Sequence, residues 1–363
     1  MIGRTLGTYF ALQFAKNVLQ IYLLIFFLIL AVDLTDQARH LGKASEATFS
    51  DILLVAFMRA PLFSEKVLPF ATLFGSAITL IVLNRKLELV VARAAGVSVW
   101  QFLLPACLTA VGLGLFSMMI YNPLALSAAD YGKKHQARVY GNDARNLARQ
   151  TENFFVREAT RQGDTIIRAR VAQPATLTFT GVTLYRFDTE GGVRERIDAE
   201  TATFDDQAWQ LSNVTIQKAG GAVQRETEFM VNSTLTKQEL QKQATRYDEV
   251  PFWSLRKRAA EASNDGLNAL NFQTQFQSLL ARPAYFIAMV LIAATVSLRF
   301  VRFGQNGKVI LFGIIAGFVL YVASELVASF GRNGVVPPFV AVWSPASVAA
   351  LLGLSVLLYQ EDG

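Results

Sequence analysis

Apolar residues along the chain gather into six long runs, three before and three after a polar middle. A helix that crosses about 30 Å of hydrocarbon needs about 20 apolar residues. The runs predict spans at Phe10–Leu34, Ile52–Leu83 and Val99–Tyr121, then at Phe276–Phe300, Val309–Phe330 and Val336–Tyr359. The second is interrupted by Pro61 and Pro69, and the third is expected to end at Asn122-Pro123.

The middle follows a different period. Gly181–Phe187 (GVTLYRF) and Trp209–Ile216 (WQLSNVTI) alternate and are rich in Thr, Val and aromatics, as strands are. Turn signals recur at Gln162-Gly163-Asp164, Glu190-Gly191-Gly192, Asp205-Asp206 and Gly220-Gly221. Trp209 and Leu211 share one phase, Val214 and Ile216 the other, which predicts a bulge or turn near Ser212-Asn213. Many short strands with turn signals predict a sandwich or jelly roll. Residues 128–149 read as an extension of the third helix, and Phe252–Ser263 (FWSLRKRAAEAS) as an amphipathic helix. The expected fold is an α-helical membrane protein with six transmembrane helices and an all-β, jelly-roll-like domain inserted between helices three and four. Its segments are 1–123, 124–275 and 276–363.

Composition agrees: 52% of residues are hydrophobic and only 17% charged, less charge than a soluble domain carries. The net charge of +6 then speaks of membrane orientation, not of a nucleic-acid partner. Arg4 and Lys16, then Arg85, Lys86 and Arg93, then Arg299, Arg302 and Lys308 fall on one side, which the positive-inside rule makes cytoplasmic. The sparser Arg39, Lys43 and Arg332 fall outside. Both termini are therefore expected inside, with the insert in the periplasm of a two-membrane bacterium. The first run is followed by Asp33-Leu34-Thr35-Asp36 with no small-x-small site, so it reads as an uncleaved span.

No phosphate-binding G-x-x-x-x-G-K-[ST] loop, HExxH or GxSxG is present. A lone Cys107 and two distant histidines, His40 and His135, make no metal site. The chain is expected to be a non-catalytic subunit without a cofactor of its own, and energy must come from a partner or an ion gradient. Leu83–Phe102 (LNRKLELVVARAAGVSVWQF) lies in a short loop yet forms helix well. Leu87, Val90, Val91 and Ala94 recur at helical spacing, and Gly96 is placed to stop the helix. Two readings stand: an interfacial helix on lipid headgroups, or a coupling helix at about 85–96 seated in a groove of a partner protein. Arg85 and Glu88, three apart, are positioned to face each other.

Other polar residues also admit two readings. Glu65 and Lys66 either bridge or snorkel near an interface, or face a cavity. Lys133, Lys134, His135 and Arg138 form a basic cluster in which Lys134 and Arg138 share a face, suited to phosphate or simply solvated. Glu325, beside Ser324, is an interior or interfacial carboxylate, and Gly313, Ala316 and Gly317 permit close helix approach.

Taken with the three-insert-three plan, Glu88–Gly96 (ELVVARAAG), Val336–Pro345 (VPPFVAVWSP), Gly181–Asp188 (GVTLYRFD), Ala199-x-x-Ala202-x-Phe204 and Trp209-x-Leu211 resemble the LptF/LptG (YjgP/YjgQ) permease family. The insert features favour its LptG branch. The resemblance covers nearly the whole chain. It implies lipopolysaccharide export from the inner membrane toward a periplasmic bridge, in a heterodimer with an LptF-like paralogue whose helices one and five line lateral gates. It implies an LptB-like ATPase dimer that holds the ATP and Mg, and an LptC-like single-span protein with its own jelly roll. In the family, a Glu at the position of Glu88 contacts the ATPase, which implies coupling through Arg85, Leu87, Glu88, Val91 and Arg93. Basic residues after helix three and at the outer end of helix one hold lipid A phosphates, which implies Lys133, Lys134 and Arg138, with Arg39 and Lys43. Where some members carry a Lys late in helix one, this chain has Leu30. Glu65, Lys66 and Glu325 are the gate or cavity candidates. An ion-gradient transporter needs polar residues at the midplane of broken helices, and helices three and six offer none. A membrane scaffold is the other alternative, and co-purification of an ATPase separates the three.

Overall fold

The computed structural model describes residues 4–41, 48–139, 151–160, 163–173, 176–188, 192–205, 207–218, 221, 223–237, 240, 247–264, 269–301 and 306–362. The chain divides into a helical unit, residues 1–132 with 250–363, and a β unit, residues 133–249.

The helices are α1 (Arg4–Leu41), α2 (Phe49–Glu65), α3 (Leu68–Arg85), α4 (Glu88–Ala94), α5 (Val99–Phe116) and α6 (Asn122–Val139), then α7 (Phe252–Asn264), α8 (Leu270–Leu280), α9 (Arg282–Val301), α10 (Asn306–Arg332) and α11 (Pro338–Asp362). Among the described residues five are long and apolar enough to cross a membrane: Thr5–Arg39, Leu68–Arg85, Val99–Gln136, Leu311–Arg332 and Pro338–Gln360. Leu270–Leu280 with Arg282–Leu298, bent by 50°, makes a sixth. The three-insert-three plan is thus present.

Three spans differ in detail from their sequence expectation. The second breaks at Lys66-Val67, between α2 and α3. Pro69 then sits in the first turn of α3, where a missing N–H costs nothing, while Pro61 stays inside α2. The third span does not stop at Asn122-Pro123. It runs through a π-helical turn, Ser117–Tyr121, into α6, and the Asn122 N–H donates to the Ser117 carbonyl five residues back. Pro123 has no N–H for the Met119 carbonyl, and the indole of Trp253 takes that acceptor at 3.1 Å. The fourth span starts at Leu270, earlier than expected, and kinks at Ala281 just before Arg282-Pro283, a proline kink of ordinary cause.

The flanks also redraw the boundary expected at 124–275. Phe252, Leu255, Ala259 and Ala262 are the buried stripe of α7. Phe252 and Leu255 pack with Met118 and Leu279, and Phe252 stacks on Phe276 at 5.4 Å. These contacts place α7 in the helical unit. At the centre of that unit α9 is buried nearly all round, through Phe286, Ala288, Met289, Val290, Leu291, Ala293 and Ala294. Helices meet closely where side chains vanish: a Cβ on Gly75 would stand 2.6 Å from the Val18 backbone, and one on Gly114 2.6 Å from the Pro283 backbone. On α10, Gly317 lies against Leu73, whereas Gly313 faces open space.

The β unit holds β1 (Thr151–Thr160), β2 (Gly163–Gln173), β3 (Thr178–Phe187), β4 (Val193–Asp205), β5 (Ala208–Lys218) and β6 (Gln224–Asn232), one antiparallel sheet in chain order. Along β2 to β5 buried positions step by two, but by three at one row. The buried pairs straddling that row are Ala169 and Ala172, Phe179 and Val182, Ala199 and Ala202, and Leu211 and Val214. The residues of the row, Arg170, Gly181, Glu200 and Asn213, lie opposite one another. Gly181 and Asn213 take φ of +65° and +54°, and Asn213 Nδ2 donates to Glu200 Oε2 at 2.7 Å. The phase slip expected near Ser212-Asn213 is therefore real. It is shared by four strands, so the pairing register needs no shift there. A row of extra residues bends a sheet, and here it turns both halves toward a single core. Phe154 and Phe179, on opposite sides of the row, bring their rings to 5.0 Å. Trp209 is 0% exposed against Phe179 and Phe204. The jelly-roll-like insert is built as one folded sheet.

Candidate functional site

The loop after α3 is held in a defined shape. Leu87 takes φ of +60°, a left-handed conformation that costs a non-glycine residue about 1–3 kcal/mol. It turns the chain sharply out of α3 and into α4. At the other end the Gly96 N–H donates to the Arg93 carbonyl and the Val97 N–H to the Ala92 carbonyl, with Gly96 at φ of +85°. That pair of bonds is a Schellman stop. Ser98 then caps α5 with Gln101 as the reciprocal partner.

Between these fixed ends α4 has two apolar faces. Leu89 and Ala92 are buried, and Leu89 packs with Phe10, Leu83, Val99 and Phe102. The other face is open: Leu87 is 60% exposed, Val90 51% and Val91 66%, and Ala94 is exposed beside them. The stripe read in the sequence is therefore the unburied one. Glu88 does not pair with Arg85. The Tyr9 hydroxyl of α1 donates to its carboxylate at 2.9 Å. Arg85 and Arg93 are exposed at the two ends of the patch.

A second constellation is buried. Arg282 Nη1 meets Glu65 Oε1 at 2.5 Å. It also donates to Ser117 Oγ at 2.6 Å. Asn122 Nδ2 reaches both Glu65 oxygens, at 2.9 and 3.2 Å, and its Oδ1 accepts the Phe252 N–H. Beside them Tyr121 and Ser64 both donate to the Pro61 carbonyl near the end of α2, and Tyr22 joins the Tyr121 hydroxyl at 2.6 Å. The sequence singled out Glu65 but paired it with Lys66, which is exposed. Its true partner, Arg282, is far along the chain. The signals for it were an Arg-Pro pair opening an apolar run and an Asn inside an apparent span.

The remaining candidates are dispersed. Lys133 is tied to Glu249 at 2.7 Å. Lys134 and Arg138, four apart on α6, are both exposed. Arg39 is exposed near the end of α1, in the other unit, and Lys43 lies outside the described residues. Glu325 is paired along α10 with Arg332 at 2.6 Å. Among the described residues no group of three or more His, Cys, Asp or Glu side chains is placed to hold a metal ion.

A bundle of spans around a buried helix, an inserted β unit and a short helix presenting an open apolar face define a multi-pass membrane protein. Residues 8–359 match the family model described as lipopolysaccharide export system permease LptF/LptG, and the chain belongs to that family. It is similar to the lipopolysaccharide export system permease protein LptG of two Escherichia coli strains, 23% identical over 338 residues that cover 90% of this chain and 90% of each relative. Family and spans together make it a multi-pass protein of the inner membrane.

Proposed function

We propose that this chain is the LptG-type permease subunit of an ATP-driven exporter, which extracts lipopolysaccharide from the inner membrane and passes it toward a periplasmic bridge. The observation that carries this reading is α4: a braced helix whose Leu87, Val90, Val91 and Ala94 face is left uncovered by its own chain. An LptB-like ATPase dimer, with its ATP and Mg, supplies the occupant of that face. An LptF-like paralogue completes the permease, and an LptC-like protein extends the periplasmic path. Both termini then face the cytoplasm and the β unit the periplasm.

The test is Glu88→Ala. Tyr9 holds the carboxylate at one edge of the apolar patch, so the charge is pre-positioned for a partner's donor. A charge-assisted hydrogen bond is worth about 1.5–3 kcal/mol, so co-purification of the ATPase should fall at least about tenfold, with membrane insertion unchanged. Wild-type ATPase recovery together with wild-type transport by this variant would refute the coupling role.

The basic residues of α6 are the proposed lipid A phosphate contacts. Lys134 and Arg138 share an exposed helix face, with Lys133 one residue before Lys134. Replacing Lys133, Lys134 and Arg138 together by alanine is expected to cut photocrosslinking to lipopolysaccharide several-fold. Undiminished crosslinking and extraction would reject that role.

A further inference from the structure

Three spans lose regular helical geometry at one place. α2 ends at Glu65 and α3 begins at Leu68. α5 passes into α6 through the π turn Ser117–Tyr121. α8 and α9 meet at Ala281 with a 50° bend. Each break contributes a residue to the same buried cluster: Glu65 at the end of α2, Ser117 opening the π turn and Asn122 just after it, and Arg282 opening α9.

Such a cluster is not needed for stability. A buried ion pair replaced by apolar side chains of similar volume is often as stable or more so. Ionisable groups inside spans, and π turns, both concentrate at working parts of proteins. What the cluster does supply is a fixed point. Asn122 grips both oxygens of Glu65 while Arg282 grips Glu65 and Ser117 together, so the three breaks cannot slide past one another. Around that point the backbone is prepared to bend. The Met119 carbonyl, which Pro123 leaves without a helical donor, is satisfied by the Trp253 indole, and the Pro61 carbonyl near the end of α2 takes side-chain donors from Tyr121 and Ser64. On one side of the breaks α3, α5 and α9 are locked together through Leu80, Leu83, Phe102, Leu103, Leu291 and Ala294.

We propose that Glu65, Arg282, Asn122 and Ser117 form a pivot, about which α2, α6 and α8 tilt as a set against the block of α3, α5 and α9 during the export cycle. This rests on the ATP-driven reading above. In the full complex in nanodiscs, Cys107 is replaced by Ser and spin labels are placed at Phe57 on α2 and Leu108 on α5, both exposed. Their separation is measured by pulsed electron resonance without nucleotide and after trapping with ATP and vanadate. The pivot requires the separation to shift on trapping, and Glu65→Gln, which keeps size but removes the charge, to abolish the shift. A wild-type separation that stays put while ATP is hydrolysed overturns the pivot, as does a full shift in Glu65→Gln. Should Glu65→Gln not fold, Ser117→Ala replaces it. That variant keeps the ion pair, frees Arg282 from the π turn, and must reduce the shift for the pivot to stand. Hydrolysis in the same sample tests the functional reading separately. If none occurs that reading fails, and the two separations are then compared with and without lipopolysaccharide, where the same outcomes decide the pivot.

Discussion

Arg282→Met should destabilise the purified protein by about 3–5 kcal/mol, the usual cost of stranding one member of a buried ion pair. The stranded member is Glu65, which is 5% exposed and keeps only Asn122 to satisfy it. Ser117 loses its partner at the same time. The double variant Glu65→Gln with Arg282→Met should recover a large part of the loss, because no uncompensated charge remains. A cycle of the two single variants and the double, read by unfolding in detergent, gives the coupling between them. Additive losses would show that the two side chains do not depend on each other. Lys66→Met, by contrast, removes an exposed charge and should move stability by no more than about 0.5 kcal/mol.

Val91→Asp should abolish recovery of the partner ATPase while leaving the protein folded and in the membrane. Val91 is 66% exposed on the open face of α4. In the proposed complex it becomes buried, and an unpaired carboxylate there costs about 2–5 kcal/mol, roughly 30-fold to several thousand-fold in affinity. Two measurements check this: the yield of ATPase on affinity purification and the level of the variant in membranes. ATPase recovered at wild-type yield would mean that the open face of α4 meets lipid headgroups instead. The effect should exceed that of Glu88→Ala, which deletes one contact without adding an unfavourable one.

Span count, the position of the insert and its β character were legible because each rests on a local period. Runs of 20 apolar residues and alternation by two need no knowledge of distant contacts. The slip between Leu211 and Val214 was legible for the same reason. That it runs across four strands was not, since Arg170, Gly181, Glu200 and Asn213 acquire a common row only through pairing. The open face of α4 was visible, but its brace was not: Tyr9 is 79 residues from Glu88. Glu65 was assigned the nearest opposite charge in sequence, whereas packing supplied Arg282. By sequence position alone Pro69 and Pro123 read as interruptions. In the fold one opens a helix and the other is accommodated by a π turn and an indole donor.

The folded sheet has a mechanical corollary. Its hydrogen bonds run between neighbouring strands, along the crease marked by Gly181 and Asn213. None of the ladder bonds joins one leaf to the other across the interior. Prising the leaves apart therefore breaks no ladder bond. It exposes side chains such as Phe154, Phe179 and Trp209, at about 25 cal/mol per Å² of wetted apolar area, and gives up the hydrogen bonds by which Ser233 and Thr234 hold the buried Glu158 carboxylate. The domain is built like a book: stiff within each page, and sprung at the spine.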